Sequence, residues 1–204
     1  MSAEKLETEV RQDQIAQAAL GVIGSHGLRA LSVARVARQV GLVPSAIYRH
    51  FENKDRVLST VLDLIHDRLC ANVQAVCAEA ADPVEQLHRL LTRHISLIRE
   101  NQGIPRVIFS EDMYAGHPER RAKVYWIVSD YLKRVADLVR QGQKSGRIRA
   151  DCDAAVLAVM FLGLVQPAAI LWHVSDGAFD VTRQAERSWR VFSEAIRANG
   201  EGQA

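Results

Sequence analysis

Four arginines stand together in a part of the chain that carries no acidic residue. Between Gln14 and Phe51 there is neither Asp nor Glu, although the whole 204-residue chain has a net charge of only +2. The arginines in this stretch are Arg29, Arg35, Arg38 and Arg49. Guanidinium groups gathered on one surface bind phosphates, and a nucleic-acid backbone presents closely spaced phosphates. The pattern indicates DNA binding, whereas a solvated basic surface on any small helical domain is the plainer interpretation.

Two short helices joined by a tight turn are predicted to position these arginines. Apolar residues recur at helical spacing in the first helix, at Val33, Val36, Ala37 and Val40. Ser32 can cap that helix with its hydroxyl, and Gly41 follows where a left-handed residue is needed. Pro44 suits the first turn of the second helix, because its missing N–H would have no partner there. A short helix, a glycine turn and a second short helix are the parts of a helix-turn-helix.

This segment resembles the DNA-binding domain of TetR-family transcriptional regulators. The matching residues are Ser32, Val36-Ala37, Val40-Gly41-Leu42, Ile47-Tyr48-Arg49-His50-Phe51, Asn53-Lys54-Asp55 and Leu58. Two positions depart from the pattern, since the family often has Ser or Thr in place of Val43 and Gly in place of Ser45. Pro44 and Ser45 must therefore define the start of the recognition helix.

The resemblance implies a DNA-binding regulator, and we expect a homodimeric repressor that recognises a pseudo-palindromic double-stranded operator. The candidate DNA-binding residues are Ser32, Arg35, Pro44, Ser45, Ala46, Tyr48, Arg49, His50 and Lys54. In the family, the Tyr and His of the Tyr-x-His-Phe pattern commonly face the DNA backbone. Tyr48 and His50 are therefore the expected phosphate contacts, together with Lys54 at the start of the next helix.

The rest of the chain predicts an all-α protein of about nine helices. Hydrophobic residues make up 48% of the sequence, which is enough for a buried core, and no sustained period-two pattern indicates a sheet. We expect an N-terminal three-helix helix-turn-helix domain over residues 1–54. A helical ligand-binding and dimerisation domain is expected over residues 55–204. The helix that begins at Asn53 continues without a linker, and a short helix is expected at Arg106–Met113.

One strongly apolar segment raises the question of a membrane. Ala154–Val165 carries no polar side chain, and Gln166-Pro167 interrupts the apolar run. A spanning helix needs about 20 apolar residues, and a helix that is apolar all round is equally typical of a protein core. We expect a buried helix and no membrane contact. The N-terminal segment is polar and lacks the apolar core of a signal peptide, which favours the cytoplasm.

The last two helices are the expected dimer interface. The resemblance implies that they pair with their copies in a second subunit, and their composition agrees, because an apolar helix and a Trp/Phe-striped helix can form a self-complementary four-helix interface. The candidate interface residues are Val156, Met160, Leu164, Trp189, Phe192 and Ile196.

The middle of the chain is expected to bind a small, largely apolar or aromatic effector that releases the protein from DNA. Aromatic and Met side chains line ligand pockets, and polar residues on apolar helix faces can orient a ligand or be satisfied core groups. The candidates are His94, Phe109, Met113, Trp126, Phe161, Gln166, Trp172 and His173.

Two other function classes have weaker signals in the sequence. His66 and Cys70 have the spacing of metal ligands on a helix, and Cys70 and Cys77 share a face, which would suit a metal- or redox-responsive regulator. Small core residues are the plainer interpretation of the cysteines, so no metal or cofactor is expected. An enzyme would need a nucleophile, an acid–base set or a phosphate loop, and the sequence shows no such pattern.

Overall fold

A computed structural model gives the structure of the chain, and it describes residues 3–198, with side chains described from Thr8 onward. These residues form ten α-helices and one short 3-10 helix, which confirms the all-α fold. The helices are α1 (Ala3–His26), the 3-10 helix Leu28–Ala30, α2 (Val33–Val40), α3 (Pro44–Tyr48), α4 (Lys54–Glu79), α5 (Pro83–Glu100), α6 (Gly103–Ile108), α7 (Glu111–Tyr114), α8 (Pro118–Lys144), α9 (Ala154–Val174) and α10 (Val181–Ile196). Within residues 3–198 the only β pairing is an isolated bridge between Ile148 and Arg197.

The predicted helix signals act as expected around the helix-turn-helix. The Ser32 hydroxyl accepts a hydrogen bond from the Arg35 amide at 3.3 Å and caps α2. Gly41 ends α2 with a φ of 74°, in the left-handed region that residues with a Cβ rarely adopt. Asn53 caps α4, because its Oδ1 accepts from the Arg56 amide at 2.9 Å. The short polar and glycine residues therefore set the ends of these helices.

The single helix expected at Arg106–Met113 is wrong. The chain instead forms α6 and α7, which are separated at Phe109 and Ser110. Phe109 has φ −105° and ψ 3°, and Ser110 is extended at φ −79° and ψ 126°, so the helical hydrogen bonding cannot continue through them. Pro105 is tolerated because it lies in the first turn of α6, where no intrahelical acceptor is needed.

Inter-helix contacts divide the chain into two compact units. Unit 1 contains the described residues up to Arg68 together with Ile98–Ile127. Unit 2 contains Leu69–Leu97 and the described residues from Val128 onward. α4 contributes its first part to unit 1 and its remainder to unit 2. This division describes packing, whereas the predicted boundary at residue 54 concerns function and stays a prediction.

Unit 1 is built around α1, which packs on α2, on α6 and on the 3-10 helix. Ile15, Ile23 and Ile47 are fully buried there. Gly103, the first residue of α6, lies so close to α1 that a Cβ placed on it would be 2.3 Å from the Leu20 carbonyl oxygen. Backbone therefore meets backbone at this crossing.

Unit 2 has a core that contains the Trp and Phe of α10. The Phe192 ring lies 6.3 Å from Phe161 of α9 and 5.9 Å from Trp189, measured between ring centroids. Trp189 in turn stacks on His88 of α5 at 5.0 Å. Trp189, Phe192 and Ile196 are 7%, 4% and 1% exposed. The expectation that they are buried between subunits needs correction, because these side chains are already buried within their own protomer.

α9 is buried on one face only, so the expectation of a fully buried helix is also corrected. Its length and its mean hydropathy of 2.2 would allow it to cross a membrane. Only 39% of its most apolar stretch is buried within the protomer. The exposed face carries large apolar side chains, which are Val156, Val159, Met160, Ile170, Leu171 and Val174. The core of a single protomer therefore leaves one side of this helix uncovered.

Candidate DNA interface

The recognition helix α3 is held from its inner side. Ile47 is fully buried and Phe51, just beyond the helix, is 4% exposed. Pro44 stands at the first position of α3, and Val43 before it is extended and makes no side-chain cap. The start of the helix therefore rests on the fixed φ of Pro44, as the sequence predicts. Ile47 and Phe51 thus anchor the inner side of α3, and the opposite face of the helix is exposed to solvent.

Most of the predicted DNA-binding residues are solvent-exposed. The exposed ones are Ser32, Arg35, Pro44, Ser45, Tyr48, Arg49 and Lys54, while Ala46 and His50 are half-buried. Ser32 uses its hydroxyl as the α2 cap, so its side chain is held at the start of that helix. The aromatic ring of Tyr48 is more than half exposed, at 56%. The exposed side chains of this set are therefore accessible to a DNA backbone.

One of the four arginines is neutralised within the protein. The Arg29 guanidinium forms a two-point ion pair with Asp112 of α7, with Nε–Oδ2 and Nη2–Oδ1 distances of 2.8 and 2.9 Å. Hydrogen bonding to Arg29 lowers the pKa of Asp112. Arg35, Arg38 and Arg49 are exposed and join none of the ion pairs found within residues 3–198. Their charges are therefore available to an external anion.

Sequence reasoning missed the side chain that holds the far end of α3. Gln12 of α1 donates from Nε2 to the backbone carbonyl of His50 at 3.3 Å, across 38 positions of sequence. That carbonyl lies just beyond the end of α3, where backbone acceptors lack helical partners. No local pattern could have revealed this contact, because nothing in the neighbouring sequence distinguishes Gln12 from the other polar residues of α1.

Polar contacts also fix the N-terminal part of α8 against α4. The ammonium of Lys123 donates to the Ser59 hydroxyl and to an Asp63 carboxylate oxygen, both at 2.7 Å. Arg120 pairs with Asp55 one turn earlier on each helix. Asp55 lies in the first turn of α4, so this ion pair ties α8 to the beginning of α4.

Two surface clefts flank α1 in unit 1. The larger has a volume of about 680 Å³ and is lined by parts of α1, α2 and α4, including Arg11, Gln39 and Arg68. The smaller, of about 290 Å³, lies towards the junction of α5 and α6. Neither cleft is lined by any of the eight residues predicted to bind an effector.

Three of the predicted effector residues belong to unit 1. Met113 is fully buried, whereas Phe109 and Trp126 are 48% and 51% exposed. The Trp126 ring lies 4.4 Å from the His66 ring, measured between centroids. Met113 is thus a core residue of this unit, and the two aromatic residues are accessible to solvent.

The other five belong to unit 2. Phe161 is fully buried, and Gln166, Trp172 and His173 are half-buried on the second half of α9. His94 is 8% exposed, and its Nδ1 lies 3.0 Å from the Tyr131 hydroxyl oxygen. Burial lowers the pKa of His94 to about 4, so the imidazole is neutral at physiological pH. His94 is therefore a satisfied core residue that presents one polar edge within an apolar unit.

The two cysteines of α4 do not share a buried face, which corrects the sequence expectation. Cys77 is exposed, and Cys70 is half-buried with its Sγ 3.8 Å from Oδ2 of Asp130. Arg134 donates to the same carboxylate oxygen at 2.7 Å. The comparisons below lend the metal- or redox-responsive alternative no support.

An exposed recognition helix held by α1 and α2, with unpaired arginines beside it, defines a helix-turn-helix DNA-binding regulator. The family model described as "Bacterial regulatory proteins, tetR family" matches residues 15–61. The model described as "Tetracyclin repressor-like, C-terminal domain" matches residues 80–196. The chain belongs to the TetR family of transcriptional regulators.

Two related sequences and one solved structure are similar to this chain over most of its length. The chain is 24% identical to the fatty acid metabolism regulator protein of Bacillus subtilis, over 82% of this chain and 86% of that one. It is 23% identical to the nucleoid occlusion factor SlmA of Vibrio vulnificus, over 92% and 96% of the two chains. Among solved structures, FadR of Bacillus subtilis in complex with stearoyl-CoA superposes with a TM-score of 0.74, at 22% identity over 90% and 98%. At these identities the structural likeness shows the shared fold.

Proposed function

We propose that the protein is a homodimeric repressor that leaves its operator when a small, largely apolar or aromatic molecule binds. It acts in the cytoplasm, where the operator DNA lies. The observation that carries the dimer is the uncovered apolar face of α9, on which Val156 and Met160 are 57% and 49% exposed. A contiguous apolar surface is uncommon on a monomer and typical of an interface. A second copy of α9, related by a two-fold axis, would cover it.

In a dimer, DNA binding depends on the spacing between the two recognition helices. Two recognition helices read half-sites about 34–36 Å apart on one face of DNA. Repression then depends on the separation of the two helices as well as on the contacts of each one. Tyr48, His50 and Lys54 are the proposed phosphate contacts, and the exposed start of α3 at Pro44 and Ser45 is the proposed approach to the bases.

A long-chain acyl-CoA is the first effector to test. This choice is supported by a similar protein that is a fatty acid metabolism regulator and by a similar solved structure that holds stearoyl-CoA. The half-buried residues Gln166, Trp172 and His173 are accessible enough to meet an entering ligand. Phe161 of the same unit is fully buried and would contact it only after the surrounding helices open.

The test is a pair of titrations with stearoyl-CoA, one on the free protein and one on its complex with a duplex selected by the protein from random-sequence DNA. A ligand that releases the operator must bind the DNA complex more weakly, typically by about 5- to 150-fold, because the coupling is reciprocal. Octanoyl-CoA is the matched control, since it keeps the headgroup and shortens the apolar chain. Equal affinities of stearoyl-CoA in the two titrations would remove acyl-CoA release from the proposed function.

A further inference from the structure

Arg68 joins three segments of unit 1 through one guanidinium. Its Nη1 donates to Oδ1 of Asn101 at 2.7 Å, and its Nη2 donates to Oε1 of Gln17. The Gln17 amide also donates to Oδ1 of Asn101, at 3.3 Å. Arg68 lies on α4, Gln17 on α1 and Asn101 between α5 and α6. The three side chains therefore form a closed triangle of hydrogen bonds, which we call the Arg68 triangle.

The Arg68 triangle is partly desolvated. Asn101 is 8% exposed and Arg68 is half-buried. Burial lowers the pKa of Arg68, while the negative charges of Asp13 and Glu100 oppose that shift. Hydrogen bonds from a charged donor are about twice as strong as neutral ones, and a satisfied polar network in a low-dielectric setting fixes geometry strongly. The guanidinium thus holds its two amide partners more firmly than a neutral side chain would.

The segment held by Asn101 also touches α1 through its backbone. Gly103 follows two residues later, and a Cβ on it would lie 2.3 Å from the carbonyl oxygen of Leu20. A Cβ on Gly24 would likewise lie 3.0 Å from the Gly103 nitrogen. The segment that leads into α6 is therefore fixed against α1 by two neighbouring contacts. One is the hydrogen bonding of the Arg68 triangle, and the other is the close backbone approach at Gly103.

We propose that Arg68 is a positioning residue for operator binding, which fixes α1 against α4 and the start of α6 and thereby sets where α3 is presented to DNA. α1 transmits this position because it packs on α2 and because Gln12 holds the end of α3. The inference rests on the proposed function, since the position of α3 matters most when two copies must meet two half-sites together.

The experiment compares binding to two half-sites with binding to one. The wild-type protein first selects a duplex from random-sequence DNA, and a second duplex carries the same sequence with one half-site scrambled. Both affinities are measured at one salt concentration for Arg68→Gln. This variant removes the charge and the pair of guanidinium nitrogens that donate to Asn101 and Gln17. Arg121→Gln is the matched control, because Arg121 is an exposed arginine of the same unit. Its guanidinium takes part in none of the side-chain hydrogen bonds or ion pairs found among the described residues of that unit.

Arg68→Gln should weaken binding to the two-half-site duplex by roughly 2- to 30-fold, the range over which such residues modulate coupling. Binding to the single half-site should change less than 2-fold, because each recognition helix keeps its own contacts. Asn101→Asp retains both acceptor contacts and adds a negative charge opposite Arg68, so it should preserve or tighten two-site binding. Arg121→Gln should leave the ratio of the two affinities unchanged.

Equal loss on both duplexes would overturn the proposal, since it would make Arg68 a direct phosphate contact or a general stability residue. An unchanged ratio in Arg68→Gln would overturn it as well. If that variant does not fold, Arg68→Lys decides, because it keeps the charge but lacks the two guanidinium nitrogens that donate to Asn101 and Gln17. It should weaken two-site binding more than single-site binding, and a wild-type ratio in Arg68→Lys would overturn the proposal. A wild-type protein that shows no preference for two half-sites would instead refute the dimeric function on which the inference rests.

Discussion

Nδ1 of His94 lies 3.0 Å from the hydroxyl oxygen of Tyr131, and the two rings meet edge to face with centroids 5.2 Å apart. Both residues are almost fully buried, at 8% and 2% exposure. Burial lowers the pKa of His94 to about 4 and raises that of the Tyr131 hydroxyl. The pair is therefore neutral over the physiological range, and it links α5 to α8 inside unit 2.

The depressed pKa of His94 predicts a loss of stability in mild acid. As the pH falls through about 6.5, the unfolded chain takes up a proton on this residue, whereas the folded protein does so only near pH 4. The free energy of unfolding should fall over this window by about 3 kcal/mol at most. Denaturant unfolding at pH 7.5, 6 and 5 measures the slope. His94→Gln should reduce it, while a substitution of the exposed His26 by Gln should not.

Lys54→Ala should weaken binding to all DNA sequences alike. Lys54 is exposed at the start of α4, immediately after the recognition segment. Loss of one phosphate contact should reduce the salt slope of log K by about one unit. Lys133→Ala is the control, since it removes an exposed lysine from unit 2. An altered base preference with an unchanged slope would contradict the phosphate assignment.

Gly103→Ala should force α6 away from α1. The new Cβ would lie 2.3 Å from the Leu20 carbonyl oxygen and 2.8 Å from its Cδ1, so backbone must move. Overpacking of this kind costs about 1–3 kcal/mol, which thermal unfolding can measure. Gly21→Ala is matched to it, because a Cβ there meets nothing within 4 Å and lies inside α1. That variant should be neutral or slightly more stable, and equal destabilisation of both would argue against the close crossing.

Val156→Glu should yield a folded monomer. The side chain is 57% exposed in the protomer, so the charge stays hydrated until a partner covers it. Burying an unpaired carboxylate in an interface costs several kcal/mol, which sedimentation would register as a shift to monomer. Tyr125→Glu, at a residue 75% exposed in unit 1, is the control. A Val156→Glu variant that remains dimeric would remove α9 from the interface.

Trp189→Glu should instead destabilise the protomer itself, because the Trp189 ring is buried in the core of its own protomer.

The helix-turn-helix was predictable because its signals are local. Ser32, Gly41, Pro44 and Asn53 act on hydrogen bonds and φ angles within a few residues of themselves, so their types alone set where α2, α3 and α4 begin or end. The same holds for the acid-free arginine stretch, which identifies a basic surface without any knowledge of its shape.

Tertiary packing decided what periodicity could not assign. An apolar stripe shows that Trp189 and Phe192 are buried, but it does not say whether their cover comes from the same protomer or from a second copy. The structure places Phe161 and His88 against them, and it leaves Val156 and Met160 on the uncovered side of α9.

Long-range polar pairing was likewise invisible in the sequence. The sequence did not show that Arg29 pairs with Asp112. It also gave no sign that Arg68 contacts Gln17 and Asn101. Residue type determines that a guanidinium needs acceptors, whereas only the folded chain determines which distant acceptors come within hydrogen-bonding distance. The DNA-reading element of this protein was therefore determined by local sequence, and the contacts that hold it in place by the tertiary structure.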